Sequence, residues 1–256
     1  PYCHMLPFIE SHQWETATRL PDIRSKSFAD WCDYVARDQC SRMRGDPNLI
    51  GYWFTDCPTW VHHRDRAAWK GALFDAKDLE TPAGRRELFD LVTTYNRVTT
   101  EAIRRYDPNH LILGDRYEAN APLPDEILQA AAPFVDVLGF QCFGDAEHVG
   151  RKLGYFANLT KMPVLLADSA VWDEHTPKGW PPQQDRHHWV EGYREVTQTL
   201  QAIPECVGYH LCGAYLRNRV RRFGLRDEQA ELDPSTEGIA LVNRSTADWV
   251  VESSQP

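Results

Sequence analysis

An acidic residue and a tryptophan stand directly after a short apolar segment in the N-terminal half of the chain. The apolar residues run from Leu49 to Phe54, and Asp56, Pro58 and Trp60 follow them. Parallel strands of α/β barrels are apolar runs of this kind, and their carboxyl ends carry the reacting groups. A carboxylate can move a proton or balance positive charge, and an indole ring can stack on a pyranose. The segment therefore predicts a site that acts on sugar rings.

The composition is that of a globular protein with a substantial core. Of the 256 residues, 42% are hydrophobic and 25% are charged, and this size fits one α/β barrel or two small domains. The net charge is −9 and the isoelectric point is about 5.6, which argues against nucleic-acid or anionic-membrane partners. No apolar run reaches the roughly 20 residues of a membrane span.

Cysteine usage favours a reducing compartment. The seven cysteines have no regular spacing, so they indicate free thiols rather than a disulfide framework. We therefore expect a cytoplasmic protein. No signal peptide is visible, but the sequence starts at Pro1, so a leader removed from a precursor stays open.

Apolar runs alternate with amphipathic stretches along the chain. Helical periodicity marks Phe28–Met43, Leu88–Ile103 and Trp189–Ile203, and shorter helices are expected at Pro124–Ala132 and Glu147–Leu159. This alternation predicts an α/β fold with one parallel sheet, in a single domain over residues 1–256. The expected strands are the six apolar runs Tyr2–Ile9, Leu49–Asp56, His110–Tyr117, Val135–Cys142, Pro163–Asp168 and Cys206–Cys212.

The strand count is lower than a closed barrel requires. A (β/α) barrel of the TIM type has eight strands, whereas about six parallel strands are expected here. Either the barrel is incomplete, or the first two βα units lie outside this sequence. Open sheet edges must be covered, and a second subunit can cover them. We therefore expect a homodimer.

Several motifs in their chain order resemble a known family. They include Asp-Pro-Asn-Leu-Ile-Gly-Tyr at 46–52, Asp-Val-Leu-Gly-Phe-Gln at 136–141 and Met-Pro-Val-Leu-Leu-Ala-Asp at 162–168. From about residue 2 to about residue 243, the chain resembles the barrel of clan A glycoside hydrolases, especially the β-agarase and β-galactosidase branches. On that alignment the six strands look like the third to the eighth, and Glu237–Asn243 is similar to the closing strand and turn.

The resemblance breaks at both positions of the family's catalytic glutamates. The family's fourth strand ends in Asp-Asn-Glu, whose Glu is the acid/base, and the matching residues here are Asp56, Cys57 and Pro58. The family's nucleophile is a Glu at the end of the seventh strand, and Asp168 matches it. The resemblance thus implies a glycoside hydrolase in which the usual pair of glutamates has been replaced.

Acidic residues at strand ends are the candidates for the replaced pair. Residues 56 and 58 share a strand face, so Asp56 points into the same barrel mouth about 6–7 Å deeper. Glu118, just past the strand His110–Tyr117, is a second candidate acid, and Glu10, after the first strand, is a third. The favoured site consists of Asp56, Glu118 and Asp168. We expect Asp168 to act as nucleophile or base. Short acidic side chains favour the wider carboxylate spacing of inverting enzymes, about 6.5–9.5 Å.

Substrate binding is assigned to polar and aromatic residues near the same strand ends. By the resemblance, the expected reaction is hydrolysis of β-linked sugars of the galactoside, glucoside or agarose type. No organic cofactor is expected, because no glycine-rich phosphate loop or dinucleotide fingerprint occurs. The residues expected to hold the carbohydrate are Glu10, His12, Trp14, Trp60, Arg116, Gln141 and Trp172.

Residues 115–118 alternate in character along their strand. Alternation places Arg116 and Glu118 on one face and Asp115 and Tyr117 on the other. An internal ion pair and a contact with ligand are equally compatible with this pattern. A basic run, Arg217–Arg226, follows the last strand and is either a solvated or subunit-facing loop or an anion site for sulfated or uronic sugars.

Two other functions stay open on the same residues. Asp56 and Asp168 can each cap a following helix, which would leave a barrel that binds glycan through Trp14, Trp60 and Trp172 without catalysis. A metal-dependent hydrolase or isomerase is the other alternative, although its candidate ligands lack zinc-type spacing. Those ligands are Cys57, His62, His63, Cys142, His210 and Cys212.

Overall fold

The computed structural model describes residues 1–9, 21–58, 60–62, 74–170, 186–211 and 224–253. No helix in these ranges is long and apolar enough to cross a membrane. The strands are β1 (Tyr2–Met5), β2 (Leu49–Asp56), β3 (Val61–His62), β4 (Phe74–Asp75), β5 (Leu111–Glu118), β6 (Leu138–Gln141), β7 (Val164–Ser169) and β8 (Cys206–Leu211). The helices are α1 (Lys26–Met43), α2 (Pro82–Tyr106), α3 (Asp125–Ala131), α4 (Ala146–Thr160), α5 (Arg186–Gln201) and α6 (Ser235–Ser253), with a 3₁₀ helix at Ala76–Glu80.

Six of the strands form one sheet, in the order β1-β2-β5-β6-β7-β8. β1 pairs with β2, β2 with β5 and β5 with β6, all in parallel. Helices separate these strands along the chain, as parallel connections require. The predicted α/β architecture of the barrel type, incomplete with six strands, is confirmed.

Local signals in the sequence start the two long helices of the N-terminal half. The Ser25 side chain accepts a hydrogen bond from the Phe28 N–H at 3.1 Å and caps α1. The Thr81 side chain accepts one from the Gly84 N–H at 3.1 Å and caps α2, whose first residue is Pro82. Both arrangements satisfy amide groups that a helix start leaves without partners.

A buried carboxylate holds the turn between α2 and β5. Asp107 accepts hydrogen bonds from the backbone N–H groups of Asn109 at 3.0 Å and His110 at 3.2 Å. The Tyr52 hydroxyl on β2 donates to the same side chain at 2.6 Å. The turn is thereby tied to β2, which fixes where β5 begins.

The chain divides into two compact units. Unit 1 comprises Pro1–Gln141 and Asn158–Leu165, and unit 2 comprises Cys142–Ala157 and Leu166–Pro256. The single domain that the sequence suggested stays a prediction.

Aromatic side chains fill the core of unit 1 around Tyr95, a fully buried residue of α2. Its ring centroid lies 5.2 Å from that of Trp60, 6.1 Å from that of Phe54 and 6.2 Å from that of Phe28. In unit 2, a cluster of buried residues joins α5, β8 and α6. It consists of Trp189, Tyr193, Leu211, Ile239 and Val242. Large rings and branched chains of this kind supply most of the apolar burial that stabilises a small core.

Two elements differ from the expectations. The segment Glu237–Asn243, which was likened to a closing strand and turn, lies inside α6. Ile239 and Val242 have the three-residue spacing of one helix face, and both pack into the core of unit 2. The short parallel pair of β3 with β4 was not predicted, because two-residue strands carry no periodicity.

We propose the outer edge of β1 as the contact surface of the predicted homodimer, which stays a prediction. β1 lies at the end of the sheet order and pairs only with β2 in the described part of the chain. Tyr2 is 40% exposed and Met5 is 47% exposed there, and an apolar open edge invites strand pairing.

We expect Met5→Lys to weaken self-association at least about tenfold, because a charge on an edge strand opposes pairing. Light scattering across the micromolar range measures this, with Tyr155→Lys on α4, a similarly exposed residue, as the control. An unmodified chain that is a clean monomer throughout that range contradicts the expectation.

Candidate active site

The carboxyl ends of three neighbouring strands in unit 1 bring polar side chains together. Asp56 is the last residue of β2, Glu118 the last of β5 and Gln141 the last of β6. In the ladder, Asp56 stands opposite Arg116 and Glu118 stands opposite Gln141. Four residues expected from the sequence to line the site are thus placed side by side by strand pairing alone.

Arg116 and Asp56 form a bidentate ion pair. The guanidinium donates through Nε to Oδ1 and through Nη2 to Oδ2, each at 2.8 Å. Both side chains are partly exposed. Parallel N–H bonds to a carboxylate fix its orientation as well as its charge. Asp56 is therefore an acceptor on both oxygens, held by a cation.

Glu118 accepts hydrogen bonds from two neutral groups. The side-chain amide of Gln141 donates to its Oε2 at 2.6 Å. The backbone N–H of Asn120 donates to its Oε1 at 2.8 Å. These bonds fix the orientation of the carboxylate at the end of β5.

The thiol of Cys57 connects the two halves of this cluster. Its Sγ lies 3.3 Å from Asp56 Oδ1 and 3.7 Å from Gln141 Oε1, and its backbone N–H donates to the Arg116 carbonyl at 2.9 Å. A thiol has one proton, so it donates to one of these oxygens at a time. The backbone of Cys57 has φ of 47°, a left-handed conformation that non-glycine residues seldom adopt.

Electrostatics keep this thiol protonated. Burial, and then the negative charges of Asp56 and Glu118, raise the pKa of Cys57 well above the ordinary value of a thiol. A thiol is a nucleophile only as its thiolate. Cys57 is therefore a neutral donor to the Asp56 carboxylate or to the Gln141 amide oxygen. From the sequence, Cys57 was expected only as a metal ligand, and its position between Asp56 and Pro58 was the signal for its place in the site.

Asp168 is the last but one residue of β7 and belongs to unit 2. It is 8% exposed, and its carbonyl accepts a hydrogen bond from the Cys142 N–H at 3.0 Å. The catalytic role expected for Asp168, and its convergence with Asp56, stay predictions.

Trp60 does not offer the sugar-stacking surface that the sequence suggested. It is 1% exposed, and its ring packs edge-on against Tyr95 in the core of unit 1. A ring enclosed in this way has no free face for a pyranose, so this expectation is corrected. Glu10, His12, Trp14 and Trp172 lie outside the described residues.

The described part of the chain holds no group of three His, Cys, Asp or Glu side chains that could bind a metal ion. His210, one of the proposed ligands, has its Nδ1 atom 3.1 Å from the Ala167 carbonyl oxygen. His63, Cys212 and most of the basic run Arg217–Arg226 lie outside the described ranges.

The chain matches no protein-family profile and no curated protein sequence. Solved structures do resemble it. The agarase AgWH50C superposes with a TM-score of 0.74 at 17% identity, over 96% of this chain and 44% of the agarase. An exo-β-agarase gives 0.70 at 16% identity, over 89% and 39%. GH5_18 from Streptomyces cattleya, solved with GlcNAc, gives 0.67 at 12% identity, over 99% and 62%.

These likenesses show that the chain has the barrel fold of these glycoside hydrolases, which confirms the resemblance read from the sequence. The chain spans less than half the length of the agarase chains that it matches. At these identities the comparison concerns the fold alone, and activity has to be argued from the side chains.

The ion pair between Asp56 and Arg116 should contribute about 1 kcal/mol to the free energy of unfolding, because it is bidentate but partly exposed. A double-mutant cycle of Asp56→Asn and Arg116→Gln in urea unfolding measures this coupling, which should decrease as salt is added.

The matched control is the exposed helical pair Arg97 and Glu101, joined by one 3.4 Å contact. Its coupling should be about 0.3 kcal/mol. Equal couplings for the two pairs would contradict the geometry at the strand ends.

Proposed function

We propose that the chain carries a glycoside hydrolase activity toward β-linked sugars, with carboxylates other than the usual glutamate pair. The observation that supports this most is the placement of Asp56 and Glu118 at the carboxyl ends of two neighbouring strands, in a fold shared with glycoside hydrolases. Glycosidic bonds are cleaved between two carboxyl groups, one of which handles the proton of the leaving oxygen. Strand ends of this kind are where barrel enzymes place such groups.

Glu118 is the residue suited to the proton transfer. A general acid must alternate between protonated and ionised forms during turnover. Glu118 stands at the end of β5 beside the site, where the Gln141 amide and the Asn120 N–H orient its two oxygens. In the proposed reaction, Glu118 gives its proton to the glycosidic oxygen as the bond between that oxygen and the anomeric carbon breaks.

Asp56 is suited to electrostatic stabilisation. Positive charge develops on the sugar ring in the oxocarbenium-like transition state. A carboxylate held on both oxygens by Arg116 is a fixed negative charge that needs no reorganisation during the reaction. The amide of Gln141 and the guanidinium of Arg116 are also donor groups of the kind that bind sugar hydroxyls. This division of roles revises the expectation that Asp56 itself replaces the acid/base.

Asp168 keeps the role of nucleophile or base as a prediction, and its mutation tests that role separately. The cytoplasmic location also stays a prediction. For the substrate, β-linked galactosides, glucosides and agarose oligosaccharides are the classes to test, since agarases are among the structures similar to this chain.

Glu118→Gln should lower kcat about 10²–10⁴-fold on β-glycosides with poor alkyl leaving groups, because the departing oxygen then receives no proton. The loss should be less than about tenfold on dinitrophenyl glycosides, whose leaving group departs without protonation. Steady-state kinetics on the two substrate series measures the difference.

Glu101→Gln on the exposed face of α2 is the matched control and should change neither series. A uniform loss across both series in Glu118→Gln would indicate a binding role for Glu118. Unchanged rates in both would exclude it from the reaction.

Asp168→Asn should lower turnover on the order of 10³-fold, because an amide neither attacks the anomeric carbon nor activates water. The same substrate panel measures the loss, and circular dichroism checks that the variant is folded. Full activity of the folded variant would remove Asp168 from the mechanism.

A second candidate, a barrel that binds glycan without cleaving it, is favoured by one observation. Pro58 stands where the family has its acid/base, and both oxygens of the neighbouring Asp56 accept hydrogen bonds from Arg116. Calorimetry that detects binding of β-linked oligosaccharides, together with no product after prolonged incubation, would support this function over hydrolysis.

A further inference from the structure

The ladder between β2 and β5 is irregular just before the candidate site. Trp53 stands opposite Gly114, and Asp56 stands opposite Arg116. β2 therefore advances three residues while β5 advances two, which is the signature of a β-bulge in β2. The ladder is also irregular between Tyr52 and Trp53, where β5 advances two residues while β2 advances one. Gly114, on β5 at this point, has φ of 67°. β-Bulges change the direction in which side chains point, and they are frequent next to active sites.

The bulge determines on which face of the sheet the Asp56 side chain lies. Phe54 and Thr55 are consecutive, yet both contact Tyr95 on α2. The rings of Phe54 and Tyr95 are 6.1 Å apart, and the hydroxyl groups of Thr55 and Tyr95 are 3.2 Å apart. In a regular strand, consecutive side chains point to opposite faces. Because two successive residues face α2, Asp56 faces away from it, on the side of Arg116.

The backbone N–H that the bulge removes from the ladder has a side-chain partner. The Thr55 N–H donates to Asp115 Oδ1 at 3.1 Å, and the Tyr95 hydroxyl donates to the same oxygen at 2.9 Å. Asp115 is 0% exposed. A buried N–H without a hydrogen-bond partner destabilises the folded state. The Asp115 carboxyl thus takes the place of a missing ladder bond across the bulge.

We propose that Asp115 is a positioning residue whose carboxyl group holds the β2 bulge and thereby turns Asp56 toward Arg116. The contribution of this positioning to catalysis rests on the proposed function, whereas the placement of Asp56 beside Arg116 does not. Asp115 acts through Thr55 and lies on the strand face opposite to Arg116 and Glu118, so it does not touch a substrate.

The hydrogen bonding of Asp115 suits a neutral carboxyl group. Its Oδ2 atom is buried and has no partner among the described residues. Burial raises the pKa of Asp115 to about 7, against the opposing bonds from Tyr95 and Thr55. The titratable groups that face it are the phenols of Tyr95 on α2 and Tyr117 on β5, and burial raises the pKa of each above 10. A proton on Oδ2 leaves Oδ1 free to accept from Thr55 and Tyr95.

Hydrogen exchange and a side-chain resonance test the proposal directly. The Thr55 amide should be protected in the unmodified chain and in Asp115→Asn, which retains the Oδ1 acceptor. In Asp115→Ala, its exchange should accelerate at least about tenfold, because a lost hydrogen bond is worth a factor of that size. The Nε–H resonance of Arg116, assigned by its disappearance in Arg116→Lys, should shift in Asp115→Ala as the ion pair loosens.

Asp107→Asn is the control, since Asp107 is equally buried and also accepts from a tyrosine, Tyr52. It should leave the Thr55 amide and the Arg116 resonance unchanged. An unprotected Thr55 amide in the unmodified chain, or an unmoved Arg116 resonance in folded Asp115→Ala, would overturn the proposal. These signals need no substrate, so an inactive protein that behaves as expected would count against the hydrolase function alone.

The pH dependence of stability provides a second prediction about Asp115. Since its folded pKa lies above the ordinary Asp value, the folded state keeps a proton that the unfolded chain releases. The stabilisation from this proton is fully present below about pH 4. Between about pH 4 and about pH 7, the folding equilibrium constant falls about tenfold per pH unit, and above about pH 7 it falls no further from this cause. Urea unfolding at a series of pH values measures the free energy of unfolding. The unmodified chain should show this slope, and Asp115→Asn should lack it. Identical slopes would contradict a buried neutral Asp115.

Discussion

The parallel pairing of β2 with β5 is the constraint on which the candidate site depends. Neighbouring strands lie about 4.8 Å apart, so the ladder brings Asp56 beside Arg116 without any contribution from loops. The pairing of β5 with β6 does the same for Glu118 and Gln141. On the other face, the ring of Tyr95 packs against β2 and its hydroxyl bonds to both strands' side chains. The site is therefore built on rigid elements, which favours a preorganised arrangement.

Hydrogen bonds orient both carboxylates of the cluster. A guanidinium binds Asp56, an amide and a backbone N–H donate to Glu118, and the thiol of Cys57 contacts Asp56 and Gln141. Acid–base chemistry at two carboxyl groups requires that their tendencies to ionise differ. The same hydrogen bonds serve a binding site well. The two candidate functions differ in one respect. Hydrolysis requires Glu118 to transfer a proton to the glycosidic oxygen, and binding does not.

Features that depend on neighbouring residues could be predicted from the sequence, whereas features that depend on contacts between distant residues could not. The two faces of β5 were predicted from alternation alone, and the buried Asp115 and part-exposed Arg116 agree with it. Trp60 was misjudged, because an aromatic residue after a strand looks the same in sequence whether it meets a ligand or packs on Tyr95. The tail at Glu237–Asn243 was misjudged because a short apolar run fits either a strand or one face of a helix.

The alternation of strands and helices and the acidic residues at the strand ends could be derived from the chain alone, because periodicity, caps and turns are local properties, and the resemblance supplied the barrel class. The pairing of Arg116 with Asp56 and the contact of the Cys57 thiol with Gln141 required the three-dimensional structure. So did the irregular register of β2 and β5 just before Asp56. These contacts depend on register between strands distant in sequence, and a shift of one residue reverses every face.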